Sequence, residues 1–155
     1  MWLSKFIGVV GLFAVLTTQC VAQQDHAILE RIEQSVTRQQ SKWTLVKKTL
    51  IRNTNIAFYE WRSGKSSVAA FIFLTESSDA AIAALENPYD PFGEIKLSDK
   101  ISNLGDDNYL WKARFTKGTV GADFRKGKFA VHVSAGTFAD AKLFAQAISN
   151  AIDAT

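Results

Sequence analysis

Between residues 109 and 135, apolar and polar side chains alternate along the chain, which is the strongest pattern in this sequence. A period of two residues is typical of β-strands that bury one face. The alternation is interrupted at Lys117-Gly118 and again at Lys126-Gly127, so it predicts three strands. The apolar face of the first strand comprises Tyr109, Trp111, Ala113 and Phe115. We expect these strands to form an antiparallel sheet joined by tight turns.

The turn at Lys126-Gly127 predicts how the last two strands pair. Glycine adopts the positive φ that a tight hairpin requires. Folding back at this point places apolar residues opposite one another, namely Phe124 with Phe129, Ala122 with Val131 and Val120 with Val133. Each such pair stabilises a sheet by about 0.2–1 kcal/mol. The side chains expected to turn inward are Val120, Phe124, Phe129 and Val133.

Three helices are predicted from capping residues and from apolar residues at helical spacing. Asp25 can cap the first helix, whose apolar stripe is Ile28, Leu29, Ile32 and Val36. Ser77 or Ser78 begins the second, which continues through Leu85. Thr137 caps the third. Its buried face should comprise Ala141, Phe144, Ala145, Ile148 and Ile152.

Three further strands are predicted in the first half of the chain. Residues 43–51 form an edge strand, since the paired lysines Lys47-Lys48 are a common protection against edge-to-edge pairing. Residues 56–62 alternate as the second strand. Residues 67–74 are apolar on both faces, which indicates a central strand covered on both sides. Residues 95–97 form at most a short strand or bridge.

These elements predict a single α+β domain over residues 23–155. Its antiparallel sheet has about six strands in two strand–hairpin–strand–helix units, with the helices packed on one face and an N-terminal helix added. The two units contain similar turns, Arg62-Ser63-Gly64-Lys65 and Arg125-Lys126-Gly127-Lys128. This similarity indicates either an internal repeat or merely a common way of covering a sheet.

Residues 1–22 have the features of a secretory signal peptide. Lys5 is followed by a short apolar run and by small residues before a cleavage site after Ala22. A membrane-spanning helix needs about 18 or more apolar residues, and this run is shorter. Lipoprotein anchoring at Cys20 is disfavoured, because Thr17 and Gln19 do not fit the pattern of such anchors. The sequence therefore predicts export to the periplasm or the extracellular space.

Composition adds few constraints on function. The one cysteine lies in the predicted signal peptide, so the exported chain has no disulfide and no cysteine metal ligand. A formal net charge of +3 at pH 7 does not by itself imply binding to nucleic acid or to an anionic membrane. The sequence contains no phosphate loop, dinucleotide-binding fingerprint or zinc-ligand spacing, so we expect no cofactor.

His132 is the first candidate for chemistry. It lies on the strand face opposite Val131, together with Ser134, and Asp123 should lie across the hairpin near Ala130. A histidine, an acid and a serine are the components of a hydrolase triad. However, Ser134 lacks the sharp turn and the glycines of a nucleophile elbow. A histidine on a sheet face is the preferred interpretation, and a hydrolase using His132 and nearby acids is the alternative.

The irregular segment from Pro88 to Asn108 carries a cluster of acids, namely Asp90, Glu94, Asp99, Asp106 and Asp107. Carboxylates are ligands that Ca²⁺ prefers, but this spacing is not that of an EF-hand loop. His26 and Glu30 could hold a metal on one helix face, but the pattern offers no third ligand. We therefore expect solvated acids and assign no metal ligand. The segment itself is either a crossover between two halves of the fold or a functional loop.

Basic and aromatic residues interleave on the C-terminal strands, as in sheets that bind single-stranded nucleic acid. Alternation places Trp111 and Phe115 on the face opposite Lys112 and Arg114. Aromatic stacking and phosphate contacts would then occur on different surfaces. The pattern favours core aromatic residues and a solvated basic face. The other aromatic residues expected in the core are Tyr59 and Trp61.

Three phrases resemble a pattern found in small exported bacterial proteins and sensor-like extracytoplasmic domains. They are Leu104-Gly105-Asp106-Asp107-Asn108-Tyr109-Leu110-Trp111, Phe124-Arg125-Lys126-Gly127 and Val131-His132-Val133-Ser134. In that pattern a Leu-Gly-Asp-x-x-Tyr phrase introduces a strand, and an Arg-x-Gly hairpin leads to a final Ala-rich helix. The resemblance implies an exported domain of this fold, and it implies no catalytic residue.

The sequence favours a non-enzymatic exported domain that binds a partner protein or a small ligand in the cell envelope or outside the cell. Its contact surface would be a sheet face or the segment from Pro88 to Asn108. Candidate contact residues are Tyr89, Phe92, Asp106, Asp107, Arg125, Lys126, Lys128 and His132. The alternatives are an envelope hydrolase using His132 and a weak polyanion-binding protein. We expect no catalytic residue, metal, cofactor or nucleic-acid partner, and no membrane span after signal removal.

Overall fold

A seven-stranded antiparallel sheet organises the chain in a computed structural model that describes residues 27–51, 55–86 and 93–153. Its strands are β1 (Thr44–Ile51), β2 (Ile56–Ser63), β3 (Ser66–Leu74), β4 (Glu94–Lys96), β5 (Asp107–Ala113), β6 (Val120–Lys126) and β7 (Phe129–Ala135). Their order across the sheet is β1-β2-β3-β7-β6-β5-β4. The helices are α1 (residues 27–39), α2 (Ser78–Glu86) and α3 (Phe138–Asp153). The predicted α+β class is confirmed, and the strand added to the expected six is β4.

Several predictions concern residues outside the described part of the chain. They involve the signal peptide with Cys20 and its cleavage site after Ala22, the cap at Asp25, His26, and the candidate contact residues Tyr89 and Phe92. These stay predictions.

The β6–β7 hairpin has a different register from the expected one. Lys126 pairs with Phe129, so the turn residues are Gly127 and Lys128, and Gly127 has a φ of 55°. A positive φ at the first turn residue is typical of a two-residue type II′ hairpin. The apolar pairs are consequently Phe124–Val131, Ala122–Val133 and Val120–Ala135. The predicted pairing was wrong by two residues, a shift that leaves every side chain on its expected face.

The inner face of the sheet, defined here as the face that includes Phe124 and Val133, packs against α1 and α3. Phe124, Phe129 and Val133 are buried and Val120 is half-buried, so these side chains turn inward as expected. On α3 the buried residues include Ala141, Phe144, Ala145, Ile148 and Ile152, which is the face predicted from the helical spacing. Removing this apolar surface from water is the main stabilising contribution to the fold.

Tyr59 and Trp61 on β2 connect the inner face to α1. Their rings stack with centroids 5.4 Å apart, and both residues are fully buried. The Tyr59 hydroxyl donates a hydrogen bond to the Leu29 carbonyl of α1 at 3.1 Å. Burial, with a smaller effect of the Glu33 carboxylate, raises the pKa of Tyr59. The predicted core location of Tyr59 and Trp61 is confirmed.

Helix α2 packs on the other side of the sheet, which we call the outer face. Its buried residues Ala81 and Leu85 form a cluster with Ala130 on β7 and Phe73 on β3. Ala130 is adjacent to the inward-facing Val131, and neighbouring strand residues point to opposite faces. The expectation that the helices share one face therefore holds for α1 and α3 and is wrong for α2. An amphipathic stripe fits either face of a sheet, so the helical pattern did not specify the side.

The strands differ in how far they are covered. β1 is an edge strand, as predicted, and its side chains are mostly exposed. β3 is central, but only its inner face is fully covered, because Phe71 and Phe73 on the outer face are half-buried. Phe115, expected in the core with Trp111, is 75% exposed. β5 ends at Ala113, so Phe115 lies beyond the strand and the alternation of the strand does not determine where its side chain points.

Side-chain caps mark the starts of α2 and α3. Ser77 Oγ accepts a hydrogen bond from the Ala80 amide, and Thr137 Oγ1 accepts one from the Asp140 amide, both at 3.1 Å. Thr137 also donates to the Asp140 carboxylate at 2.7 Å. These bonds satisfy amides that have no partner inside the helix. Among the helices of the described residues, none has the length and apolar character needed to cross a membrane.

Gly121 provides a test of the sheet packing. A Cβ at this position would overlap the Trp111 indole and the Val133 carbonyl, so Gly121→Ala should destabilise the domain by about 1–3 kcal/mol. At Gly136 a Cβ would meet nothing within 4 Å, and Gly136→Ala should not lower stability. Urea unfolding followed by circular dichroism measures both. Equal stability of the two variants would contradict the close packing of Trp111 against β6.

Candidate functional site

The outer face carries a buried group of polar residues where β5, β6 and β7 lie side by side. In the observed register, Asp123 on β6 pairs with Tyr109 on β5 and with His132 on β7. Paired residues point to the same face of a sheet, so these three side chains meet. The sequence placed Asp123 near Ala130, and this was wrong, because the two-residue change of register moves Asp123 opposite His132.

Asp123 lies at the centre of this group, with a side chain that is 1% exposed. Tyr109 Oη donates a hydrogen bond to Oδ2 at 2.9 Å, and Trp111 Nε1 donates one to Oδ1 at 2.7 Å. His132 Nδ1 lies 3.0 Å from Oδ1 and 3.2 Å from Oδ2. A buried carboxylate is costly unless it is hydrogen-bonded or paired with a positive charge. The three neighbours provide that compensation.

Glu94 and Trp111 complete the surroundings of His132. Because β4 pairs with β5, Glu94 lies on the outer face beside Asp123 and His132. Its Oε1 lies 3.4 Å from His132 Nδ1. The Glu94 and His132 side chains are 3% and 10% exposed. The Trp111 ring stacks on the imidazole with centroids 4.9 Å apart and an interplanar angle of 18°. We call Glu94, Asp123 and His132 the acid–histidine cluster, and it is enclosed by strands and an aromatic ring.

The acid–histidine cluster has the chemistry to bind a cation or to hold a proton. Carboxylate oxygens and an imidazole nitrogen are ligands for divalent metals. A histidine beside a carboxylate is also the basic part of a hydrolase triad. Ser134 shares the outer face of β7 with His132, but Trp111 covers one face of the imidazole that would have to reach a substrate. The geometry therefore favours binding over hydrolysis.

An open groove of about 290 Å³ lies on the outer face beside the cluster. It is lined by Lys47, Thr49, Ile51, Phe58 and Phe71. The rings of Phe58 and Phe71 lie 4.8 Å apart, and Lys47 Nζ lies 5.4 Å from the centre of the Phe58 ring. Phe71 also approaches His132, with ring centroids 6.2 Å apart. The groove thus has an apolar floor, a cation at its edge and the acid–histidine cluster next to it.

The predicted contact residues Arg125, Asp106 and Asp107 form ion pairs outside the cluster. Arg125 pairs with Asp106 at 2.8 Å, and the same carboxylate accepts a hydrogen bond from the Gly127 amide at 2.8 Å. Asp107 pairs with Lys100 at 3.1 Å, and the hydrogen bond from Lys100 lowers the pKa of Asp107. Asp106 and Asp107 lie outside the cluster, and among the acids of residues 93–108, the part of their segment that the structure describes, Glu94 is the one that joins it.

The remaining predicted contact residues are divided between two faces. Lys126 lies on the inner side, where it contacts Asp153 and donates to Ser149 Oγ of α3 at 3.0 Å. Lys128 Nζ lies 5.9 Å from the centre of the Phe129 ring. Of the candidate contact residues that the structure describes, His132 is the one that belongs to the acid–histidine cluster.

Sequence reasoning missed Glu94, Tyr109, Trp111 and Asp123 as members of one site. The sequence predicted that the charged neighbours of the inward-facing residues meet water, and this is wrong for Asp123, which is buried. The available signal was its place between the apolar residues Ala122 and Phe124. Its partners could not be named without the register of β5, β6 and β7. Glu94 was grouped with loop acids, because nothing local connects it to a strand that follows much later in the chain.

Comparison with known proteins adds no assignment. No protein-family model, curated protein or solved structure matches the chain. The function therefore has to be inferred from the geometry of the site.

Replacing Asp123 tests what the cluster contributes to folding. Asp123→Ala should destabilise the domain by about 2–4 kcal/mol, because Tyr109 Oη and Trp111 Nε1 each lose a hydrogen bond to the buried carboxylate. Asp123→Asn retains an acceptor oxygen and should have a smaller effect. The exposed acid Asp107 is the matched control, and Asp107→Ala should change stability by less than about 1 kcal/mol. Urea unfolding at neutral pH compares the three. An Asp123→Ala variant as stable as Asp107→Ala would contradict the hydrogen bonds described for Asp123.

Proposed function

We propose that the protein is a non-enzymatic, exported binding domain whose ligand lies in the groove of the outer face. The observation that carries this proposal is the pair of half-buried rings, Phe58 and Phe71, on a part of the sheet away from the α2 cluster. The open face of an antiparallel sheet ordinarily carries polar residues. Aromatic side chains that line an open groove are instead typical of a ligand site.

The groove lining favours a ligand with an apolar body and an anionic group. Phe58, Phe71 and Ile51 offer apolar contact, and Thr49 offers a hydroxyl group. Lys47 places a positive charge beside the aromatic floor. Small-molecule sites measure about 300–1,000 Å³, and the groove, at about 290 Å³, lies just below that range. We therefore propose a small aromatic or aliphatic acid as the class of ligand.

The exported location in this proposal rests on the sequence. Residues 1–22 combine a basic start, a short apolar run and small residues before the predicted cleavage site. The resemblance to small exported bacterial proteins supports the same location. The exported chain would begin at Gln23 and would contain no cysteine.

The buried Asp123–His132 pair favours a second candidate function, an envelope hydrolase with His132 as its general base. A screen of ester and peptide substrates with the wild type and with His132→Ala separates the two functions. Activity that is lost in the variant would support the hydrolase. A wild type without activity above background, or a variant that retains it, would remove this role of His132.

Binding in the groove can be tested with anilinonaphthalene sulfonate, a fluorescent aromatic anion. We expect saturable binding to the chain that begins at Gln23. Phe71→Ser should weaken it about tenfold or more, since loss of roughly 1.4 kcal/mol of apolar contact corresponds to a factor of ten. Lys47→Glu should weaken it as well, because it reverses the charge at the groove. Leu143→Ser is the matched control on α3, where Leu143 is 45% exposed, and it should bind like the wild type.

Circular dichroism establishes that each variant is folded. Because Lys47 is exposed, Lys47→Glu should disturb the fold less than Phe71→Ser. Unchanged affinity in that variant, or equal loss in Leu143→Ser, would contradict the groove as the site. Concentration-dependent sedimentation that disappears in Phe71→Ser would instead identify a second copy of the chain as the occupant of the groove and overturn the small-ligand proposal.

A further inference from the structure

We infer that the acid–histidine cluster is a binding site for one divalent transition-metal ion, with Zn²⁺ as the best-suited ion. Glu94, Asp123 and His132 each offer one possible ligand atom, and these atoms all lie within 4.8 Å of one another. The three residues come from β4, β6 and β7, so the site exists only in the folded sheet. It is separate from the groove, and this inference does not depend on the proposed function.

The distances from His132 Nδ1 to the carboxylate oxygens suit a metal ion. His132 Nδ1 lies 3.0 Å and 3.2 Å from the two Asp123 oxygens and 3.4 Å from Glu94 Oε1. Zinc binds nitrogen and oxygen ligands at about 2.0–2.2 Å, so at tetrahedral or right angles its ligand atoms are separated by roughly 2.8–3.6 Å. The observed separations from Nδ1 fall in that range without movement of the strands.

A hydrogen bond explains the arrangement less completely. The imidazole Nδ1 carries at most one hydrogen, yet it faces oxygens of both Asp123 and Glu94. Two carboxylates beside one imidazole also place two negative charges close together, and a positive charge between them lowers their mutual repulsion. A divalent ion between the three groups contacts all of them and supplies that charge.

The surroundings orient the proposed ligands as metal sites require. Tyr109 and Trp111 donate hydrogen bonds to Asp123 and so fix its carboxylate. A carboxylate has about four lone-pair positions, so Asp123 retains capacity for a metal. Trp111 also stacks on His132 and fixes the plane of the imidazole. Such supporting contacts raise metal affinity, because the ligands are held in place before the ion arrives.

The donor set indicates which ion fits. One imidazole nitrogen with two carboxylates suits Zn²⁺ better than Ca²⁺ or Mg²⁺, which prefer oxygen ligands throughout. Three protein ligands leave a coordination position for water or for a group of a bound molecule.

The test is calorimetric titration of the chain that begins at Gln23, stripped with a chelator and free of any affinity tag, with zinc chloride at neutral pH. We expect one Zn²⁺ per chain, a higher unfolding temperature with zinc, and weaker binding of Ca²⁺ and Mg²⁺. Glu94→Gln and His132→Asn should each lower zinc affinity tenfold or more. Nitrogen NMR of the His132 ring should show the zinc-dependent shift at Nδ1.

Two matched controls should bind zinc like the wild type. His26→Ala removes the other histidine of the exported chain, and Asp107→Asn removes an exposed acid of the same segment as Glu94. Glu94→Gln keeps the size and shape of the side chain, and a circular dichroism spectrum of each variant confirms its fold. The inference is overturned if zinc does not bind saturably, if Glu94→Gln and His132→Asn both retain wild-type affinity, if His26→Ala abolishes binding, or if Ca²⁺ binds more tightly than Zn²⁺.

Discussion

The register of the β6–β7 hairpin is the constraint on which both faces of the sheet depend. Gly127 takes a positive φ at the start of a two-residue turn, and Asp106 holds that turn through the Gly127 amide and through its ion pair with Arg125. This register sets Phe124 against Val131 in the inner core. It also sets Asp123 against His132 on the outer face. A single turn therefore determines the packing of the domain and the assembly of its polar site.

The two faces of the sheet are covered unequally, and this difference leaves the groove of the outer face open. Helices α1 and α3 cover the inner face with a continuous apolar core. On the outer face, α2 covers Ala130 and part of Phe73. Phe58 and Phe71 remain at an open groove, where their apolar surface is only half removed from water. Covering this apolar surface with a ligand lowers the free energy of the system. The apolar surface of the inner face is already removed from water when the domain folds.

The groove and the acid–histidine cluster are neighbours on the outer face. Phe71 belongs to the groove and its ring also lies 6.2 Å from that of His132. The cluster is rigid, because Asp123 is held by Tyr109 and Trp111 and because Trp111 stacks on the imidazole. Buried polar groups that are well hydrogen-bonded specify one arrangement of the surrounding strands. An occupant of the groove would therefore rest against a fixed wall of aromatic and polar side chains.

Local patterns by themselves determined most of the fold. Alternation along β2, β6 and β7, the caps at Ser77 and Thr137, and the apolar stripe of α3 identified the elements and most inward-facing side chains, because these depend on neighbours close in the sequence. On β5 the alternation selected the wrong face, since Leu110 lies in the inner core while Tyr109 and Trp111 contact Asp123 on the outer face. The pattern could not choose the register of the last hairpin, since a shift of two residues keeps every side chain on its face and preserves the apolar matching. The pattern also did not determine which face of the sheet α2 covers, and it did not predict that Glu94 lies beside His132. Tertiary structure decided these features, because they depend on backbone geometry at Gly127 and on strand neighbours that are distant in the chain.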